Sequence, residues 1–248
     1  MVTEKRIKKM KWTVKYTINN HDTDFNNIVS ASGIMRYMQD AANFQMEGQK
    51  PSYDELFNSG RAFVLSRFRM SLYSPLHSHD KIEASTWAVE SKGVSFDRCF
   101  SITKNGLTVA EATSVWALVD RNTGRLVRVS DFENNYSTDE PVELDLPARF
   151  RLPSDLNFAL VGERTVEYRD VDINRHINNT RYPDILCGYI PHMEGKRVIN
   201  LEINYLSEAP IGETLKVYMA KSDGSYYFKT IRENGKTNIE AEIMIDDI

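Results

Sequence analysis

Cysteine is nearly absent from this chain: 248 residues include two, Cys99 and Cys187, far apart in sequence. Such a pair suggests neither a zinc site nor a disulfide framework, and it fits a reducing compartment. Also missing is any apolar run of 18 residues, so no segment reads as a membrane-spanning helix. The first residues contain no apolar stretch of the signal-peptide kind. An excess of positive charge is lacking as well. The formal net charge is −4, which argues against nucleic acid as the main partner, because phosphate binding needs a basic face. These absences leave a soluble, cytosolic protein as the expectation.

What is present suits a globular fold: 41% hydrophobic and 27% charged residues, with twelve Tyr and eleven Phe for core and pocket walls. The length allows one large domain or two ordinary ones, with a substantial core. The N-terminal cluster Lys5, Arg6, Lys8, Lys9 and Lys11 reads either as a solvated tail or as an electrostatic handle for an acidic partner.

Along the chain, hydrophobic periodicity predicts a strand over 11–18 and a helix opening at Ser30 or Ser32 and stopped by Gly48 and Pro51. Strands follow over 63–73, 82–89, 95–102 and 109–119, with Lys104-Asn105-Gly106 as a hairpin signal. Residues 134–160, rich in Asp, Glu, Pro and Asn, read as a crossing between units. The order then repeats: a strand over 163–168, a helix from about Thr180 with Pro183 in its first turn, and strands over 198–206, 215–220, 226–232 and 239–245.

Asp22-Thr23-Asp24-Phe25-Asn26-Asn27-Ile28-Val29 aligns with Asp170-Val171-Asp172-Ile173-Asn174-Arg175-His176-Ile177 at a constant offset of 148. Two Asp and one Asn are identical, which points to two copies of one structural unit. Ser74-Pro75-Leu76 further aligns with Ala209-Pro210-Ile211, pairing Tyr73 with Glu208. The copies differ where it matters chemically: His176 stands where the first has Ile28, and Glu208 where it has Tyr73. One copy thus holds a scaffold without its titratable groups. His176 and Glu208 become the leading candidates for chemistry. Asp172 and Asn174 have twins, and so are open to a purely structural reading. Asn178 and Asn179 read as cap or turn residues, Cys187 as core, and His21, His77, His79 and His192 as surface or structural.

The segment Asp172-Ile173-Asn174-Arg175-His176-Ile177-Asn178-Asn179, followed by Tyr182, resembles the Asp-x-Asn-x-His-x-Asn-Asn signature of plant and bacterial acyl-ACP thioesterases. Tyr205-Leu206-Ser207-Glu208 resembles that family's Tyr-x-x-Glu element, and Trp116–Val119 with Thr123–Leu126 resembles the end of its N-terminal half. The resemblance implies an α+β tandem hotdog, each unit a long central helix wrapped by an antiparallel sheet. It implies a first unit over 1–130 that binds the substrate chain, a linker over 131–162 and a catalytic unit over 163–248. The implied activity is hydrolysis of fatty acyl-ACP to free fatty acid and ACP, without metal or cofactor. It would serve fatty acid biosynthesis in the cytoplasm, on a monomer or homodimer. The active-site group carries over onto Asp172, Asn174, His176 and Glu208. Many plant members have Cys directly after the Glu, whereas this chain has Ala209, which excludes a covalent Cys mechanism there. Plant members also carry transit peptides and this chain shows none, which suits a bacterial protein. An acyl-CoA thioesterase, a hotdog enoyl-thioester hydratase or dehydratase, and a non-catalytic acyl-thioester module stand as alternatives. The first helix and facing strand, including Met35, Met38 and Phe68, are expected to set pocket depth.

Overall fold

The computed structural model describes residues 11–248. Of the basic cluster, Lys5, Arg6, Lys8 and Lys9 lie outside them; Lys11 places its ammonium 3.9 Å from the centre of the Trp87 ring. The first half contains β1 (Trp12–Thr17), α1 (Ala31–Glu47), α2 (Tyr53–Asn58), β2 (Arg61–Leu72), β3 (Lys81–Ala88), β4 (Ser95–Lys104), β5 (Leu107–Asp120) and the two-residue β6 (Leu126–Val127). The second contains β7 (Ala159–Thr165), α3 (Tyr182–Cys187), β8 (Lys196–Tyr205), β9 (Thr214–Ser222), β10 (Ser225–Ile231) and β11 (Thr237–Asp247). All the strands join one sheet in the order β1-β3-β4-β5-β2-β8-β11-β10-β9-β7, with β6 on β5. The halves meet where β2 pairs antiparallel with β8 over five residues, Arg67↔Asn204 to Ser71↔Asn200.

Local chemistry explains the elements. Ser30 caps α1, its hydroxyl accepting from Gly33 N at 3.1 Å. Ile34, Met35, Tyr37, Met38, Ala41 and Ala42 are buried along the helix and pack with Phe68, Met70, Leu201 and Ile203 of β2 and β8 in one core. At Gly33 a Cβ would lie 2.8 Å from Val29 Cγ1 and 3.1 Å from Asp22 O, so only glycine lets the preceding turn lie this close to the helix. Asn105 and Gly106 take φ of 53° and 78°, the left-handed pair that joins β4 to β5 in a two-residue hairpin.

The α+β tandem hotdog stands, with one departure. α3 has six residues against seventeen in α1, so the second unit lacks the long helix expected of it. Gly188 follows the helix and Pro191 comes shortly after; the first is a poor helix former and the second removes a donor. A short 3-10 turn, Asn179–Arg181, leads into α3. The crossing between halves is irregular chain with bends and a turn until β7 begins at Ala159, inside the stretch read as linker. Side chains across the first half and β8 hold its carbonyls: Trp87 Nε1 donates to Glu140 O at 2.7 Å, Arg69 Nη1 to Pro147 O at 2.6 Å and Asn204 Nδ2 to Phe150 O at 3.3 Å. Arg67 and Arg69 alternate with the inward Phe68 and Met70, so this chain runs over the face of the sheet away from α1.

Candidate active site

The two copies of the Asp-x-Asp-x-Asn turn share a hydrogen-bond pattern. Asp24 N donates to Ile28 O at 2.8 Å, and Asp172 N to His176 O at 3.1 Å. The Oδ1 of Asp24 and of Asp172 each accept from the backbone N–H two residues on, at 2.8 Å. Asn27 and Arg175 are both left-handed, at φ 60° and 65°. The carboxylates that open the turns are tied down in both copies: Asp22 by Tyr37 Oη at 2.6 Å, Asp170 by Arg164 Nη2 at 2.5 Å. The turn is therefore a scaffold first, and Asp172 has a structural task in it.

The side chains diverge. Asn26 spends its amide on the chain after α3: Nδ2 donates to Met193 O and Lys196 O at 2.8 Å, and Oδ1 accepts from Gly195 N at 2.9 Å. Among the described residues the Asn174 amide makes no such bond, and the residue is exposed. His176 Nδ1 lies 3.1 Å from Glu208 Oε2, an ion pair whenever the imidazole is protonated. The structure thus brings His176 and Glu208 together across 32 residues of sequence.

The first copy has no counterpart to this pair, but main-chain bonding changes one alignment. Ile177 N donates to Ala209 O, and Val29 N to Leu76 O. By that bond Ala209 answers to Leu76 and Glu208 to Pro75, rather than to Tyr73. Tyr73 instead donates its hydroxyl to Glu111 at 3.0 Å. A proline suits the end of a strand wherever no ladder N–H is needed, so the two prolines make a poor anchor for register. With either partner, the first copy lacks the carboxylate.

Three further residues fix the pair's surroundings. Asn238 is fully buried. Its Oδ1 accepts from Tyr182 Oη at 3.0 Å and Thr230 Oγ1 at 2.9 Å, and its Nδ2 donates to Ser207 O at 2.5 Å. Its carbonyl accepts from Leu206 N and Ser207 N, so Asn238 anchors the loop that carries Glu208 on the side before it, as the Ile177 N–Ala209 O bond does on the side after it. Tyr205 Oη donates to Asn179 O at 3.0 Å. Asn178 acts as a cap, Oδ1 accepting from Thr180 N and Thr180 Oγ1 at 3.0 and 2.8 Å. With Asn178 N bonded to Asp170 O, the N–H of Asn179 is left without an acceptor among the described residues. The sequence signal for Asn238 was a lone amide where β11 alternates apolar residues, which periodicity alone passes over.

A cavity of about 590 Å³ opens beside the turn, lined by Asp172, Ile173, Asn174, Asn178 and Asn179 on one side. Facing them are Gln39, Ala42, Asn43 and Met46 of α1, Leu56 and Phe57 of α2, and Phe63, Phe96 and Trp116 of the sheet. Charged side chains, among them Arg61, Asp97, Arg98 and Arg121, share this lining with the apolar ones. His176 and Glu208 are not in the lining, although the residues flanking His176 at 174 and 178 are. Met35, Met38 and Phe68, expected to shape a pocket, are core residues outside it. Met35 and Met38 sit on the face of α1 that meets the sheet, and Phe68 on β2, while the cavity follows the helix's second half. A twin cavity of about 430 Å³ lies at the first copy, lined by Asp24, Phe25, Ile28 and Ala31 with Asp184 and Cys187 of α3. There Ile28 faces the space, and burial, with Asp184 and Asp24, pushes the Cys187 thiol up to about 12, far from a nucleophile. Among the described residues no three His, Cys, Asp or Glu side chains converge as a metal site would need, and no helix is long and apolar enough to cross a membrane.

Comparison with known proteins agrees with this architecture. An acyl-[acyl-carrier-protein] hydrolase of Cuphea viscosissima is 30% identical over 171 residues, 63% of this chain and 42% of that protein. A palmitoyl-acyl carrier protein thioesterase of Cuphea hookeriana is 22% identical over 232 residues, 85% of this chain and 55% of that protein. The chain spans about half the length of the curated relatives it matches. The crystal structure of an acyl-ACP thioesterase from Bacteroides thetaiotaomicron superposes with a TM-score of 0.84 at 22% identity, covering 94% of this chain and 97% of that one. A 12:0-ACP thioesterase from Umbellularia californica gives 0.75 at 17%, over 96% and 98%. At these identities the structures establish a shared fold. The family models for the acyl-ACP thioesterase N-terminal and C-terminal domains match residues 9–135 and 156–246, which together span most of the molecule, and the chain therefore belongs to the acyl-ACP thioesterase family.

Proposed function

We propose that this protein hydrolyses fatty acyl thioesters carried on acyl carrier protein, with Asp172, Asn174, His176 and Glu208 as its active-site group. The observation that carries this reading is the 3.1 Å contact between His176 and Glu208 on a scaffold whose twin has Ile28 and Pro75. In this scheme Glu208 takes a proton from water, held and polarised by His176. The water oxygen bonds to the carbonyl carbon, and Asn174, free of structural duty, orients water and thioester. The Asn179 N–H, at the start of a helical turn and held by Tyr205 through the adjacent carbonyl, donates to the developing oxyanion. The C–S bond then breaks with its electron pair on sulfur. The proton passes to the leaving thiolate, and the products are the fatty acid and the carrier's free thiol. Asp172 holds the turn in shape.

The first unit, residues 1–130, would bind the acyl chain through the apolar part of the cavity; residues 131–162 would link it to the catalytic unit, 163–248. A role in fatty acid biosynthesis in the cytoplasm, as a monomer or homodimer, completes the proposal. Ala209 is buried and its carbonyl serves Ile177, so Ala209→Cys should create no essential thiol. His176→Ala and Glu208→Ala should each lower kcat on acyl-ACP by about 10²–10⁴-fold, measured as thiol released to a dye. Near wild-type rates in both would refute the assignment. Water uptake by an enoyl substrate without thiol release would point to a hydratase instead.

A further inference from the structure

We infer that Gln39 of α1, in the first unit, is a catalytic residue of the second unit's site, its side-chain amide donating to the thioester carbonyl oxygen opposite the Asn179 N–H. The inference rests on the thioesterase reading of that site. Three observations carry it. Gln39 lines the 590 Å³ cavity together with Asp172, Asn174 and Asn179, so a substrate reaching the turn passes against it. Among the described residues its amide has no hydrogen-bond partner, and the residue is half-buried, so the amide is open to the cavity and free to meet a ligand there. The third observation is again the twin. The offset of 148 that relates the two turns places Cys187 opposite Gln39, and Cys187 lines the twin cavity as Gln39 lines this one. The duplicate that lacks the His of the turn and the Glu beside it therefore also lacks the amide on the facing helix. Three polar groups from three places in the chain are present at one site and missing together at the other.

The geometry also gives the amide a use. Asn178 N and Thr180 N are committed to Asp170 O and Asn178 Oδ1, so of the N–H groups of residues 178–180 only that of Asn179 is open. A tetrahedral intermediate is held best by two donors, and with Asn174 given to water and thioester a second is offered from across the cavity. Gln39, with Asn43 one turn further along the same helix face, stands there. Gln39 donates through Nε2 as charge grows on the carbonyl oxygen.

The test is Gln39→Met, which keeps length and helix propensity but removes the donor, and Gln39→Glu, both assayed on acyl-ACP with thermal unfolding followed in parallel. The expected result for Gln39→Met is kcat lowered by about 10²–10³-fold with KM little changed. Gln39→Glu should be as slow at neutral pH and recover relative to the unaltered protein as pH falls, because the protonated carboxyl regains a donor. The control Cys187→Ala, in the twin cavity, should leave the rate unchanged. Wild-type kcat in Gln39→Met, or a raised KM at unchanged kcat, overturns the inference alone, provided His176→Ala is inactive in the same assay. Absence of turnover by the unaltered protein overturns the functional reading and the inference with it.

Discussion

At the scale of single residues, Asn238 shows how a buried amide governs a site it does not enter. It satisfies two hydroxyls and three main-chain groups at once, and no other side chain of its shape offers both a donor and an acceptor there. Replacing it with Leu leaves Tyr182 Oη and Thr230 Oγ1 to find new partners in a dry interior and releases Ser207 O at its edge. A loss of about 3 kcal/mol is expected from urea unfolding, in the range for a broken buried network. Because Glu208 follows Ser207, kcat should fall further than in a core variant of equal stability, such as Leu201→Ala. Equal kcat in the two variants would show that Asn238 has no part in placing Glu208. Asp172 is a contrasting case: its turn-closing bond has a counterpart at Asp24, so its replacement should cost stability before chemistry.

At the scale of elements, β8 carries a tension on its outer face. Glu202 is buried, and its Oε1 has no partner. Across the ladder it faces Arg69 of β2 and Glu242 of β11; Arg67 of β2 also bears on it, and Arg149 of the crossing segment on Arg67. Burial pushes the carboxyl up to about 7, Glu242 adds to the rise, and Arg69 and Arg67 oppose it. The unfolded group titrates near 4.5. Between those values the folded state holds a proton that the unfolded chain has released, so stability falls as pH rises through that window. Glu202→Gln should flatten this decline, seen as denaturation midpoints across the pH series; an unchanged slope would refute it. Elements of this kind were legible in the sequence where one force dominates. α1 followed from Ser30 and the Ile34–Gln45 spacing, and β11 from the alternation of Ile239 to Ile245. The extent of α3 was not, because Gly188 and Pro191 outweigh the apolar spacing of Ile185, Leu186 and Tyr189. Of the candidate site, the pairing of His176 with Glu208 was legible through the duplicate. Gln39 was not, since a lone amide on an amphipathic helix looks like any solvated position until the opposing turn is in place.

At the scale of the whole molecule, the seam between β2 and β8 decides how the protein can be made. Synthesis delivers β2 long before β8, so the nascent first half must wait with a row of unsatisfied strand groups at its open margin, an invitation to pair with another chain. The arginines at that margin, Arg67 and Arg69, are the charges that discourage such pairing. The two halves are then mutual chaperones. Cleaved in the exposed stretch around Ser154 and produced as separate polypeptides 1–154 and 155–248, each alone should be insoluble or self-associated. Produced together, they should copurify one to one and regain thiol release. Well-behaved monomers of either fragment, by light scattering, would show that the seam joins two finished bodies rather than completing one.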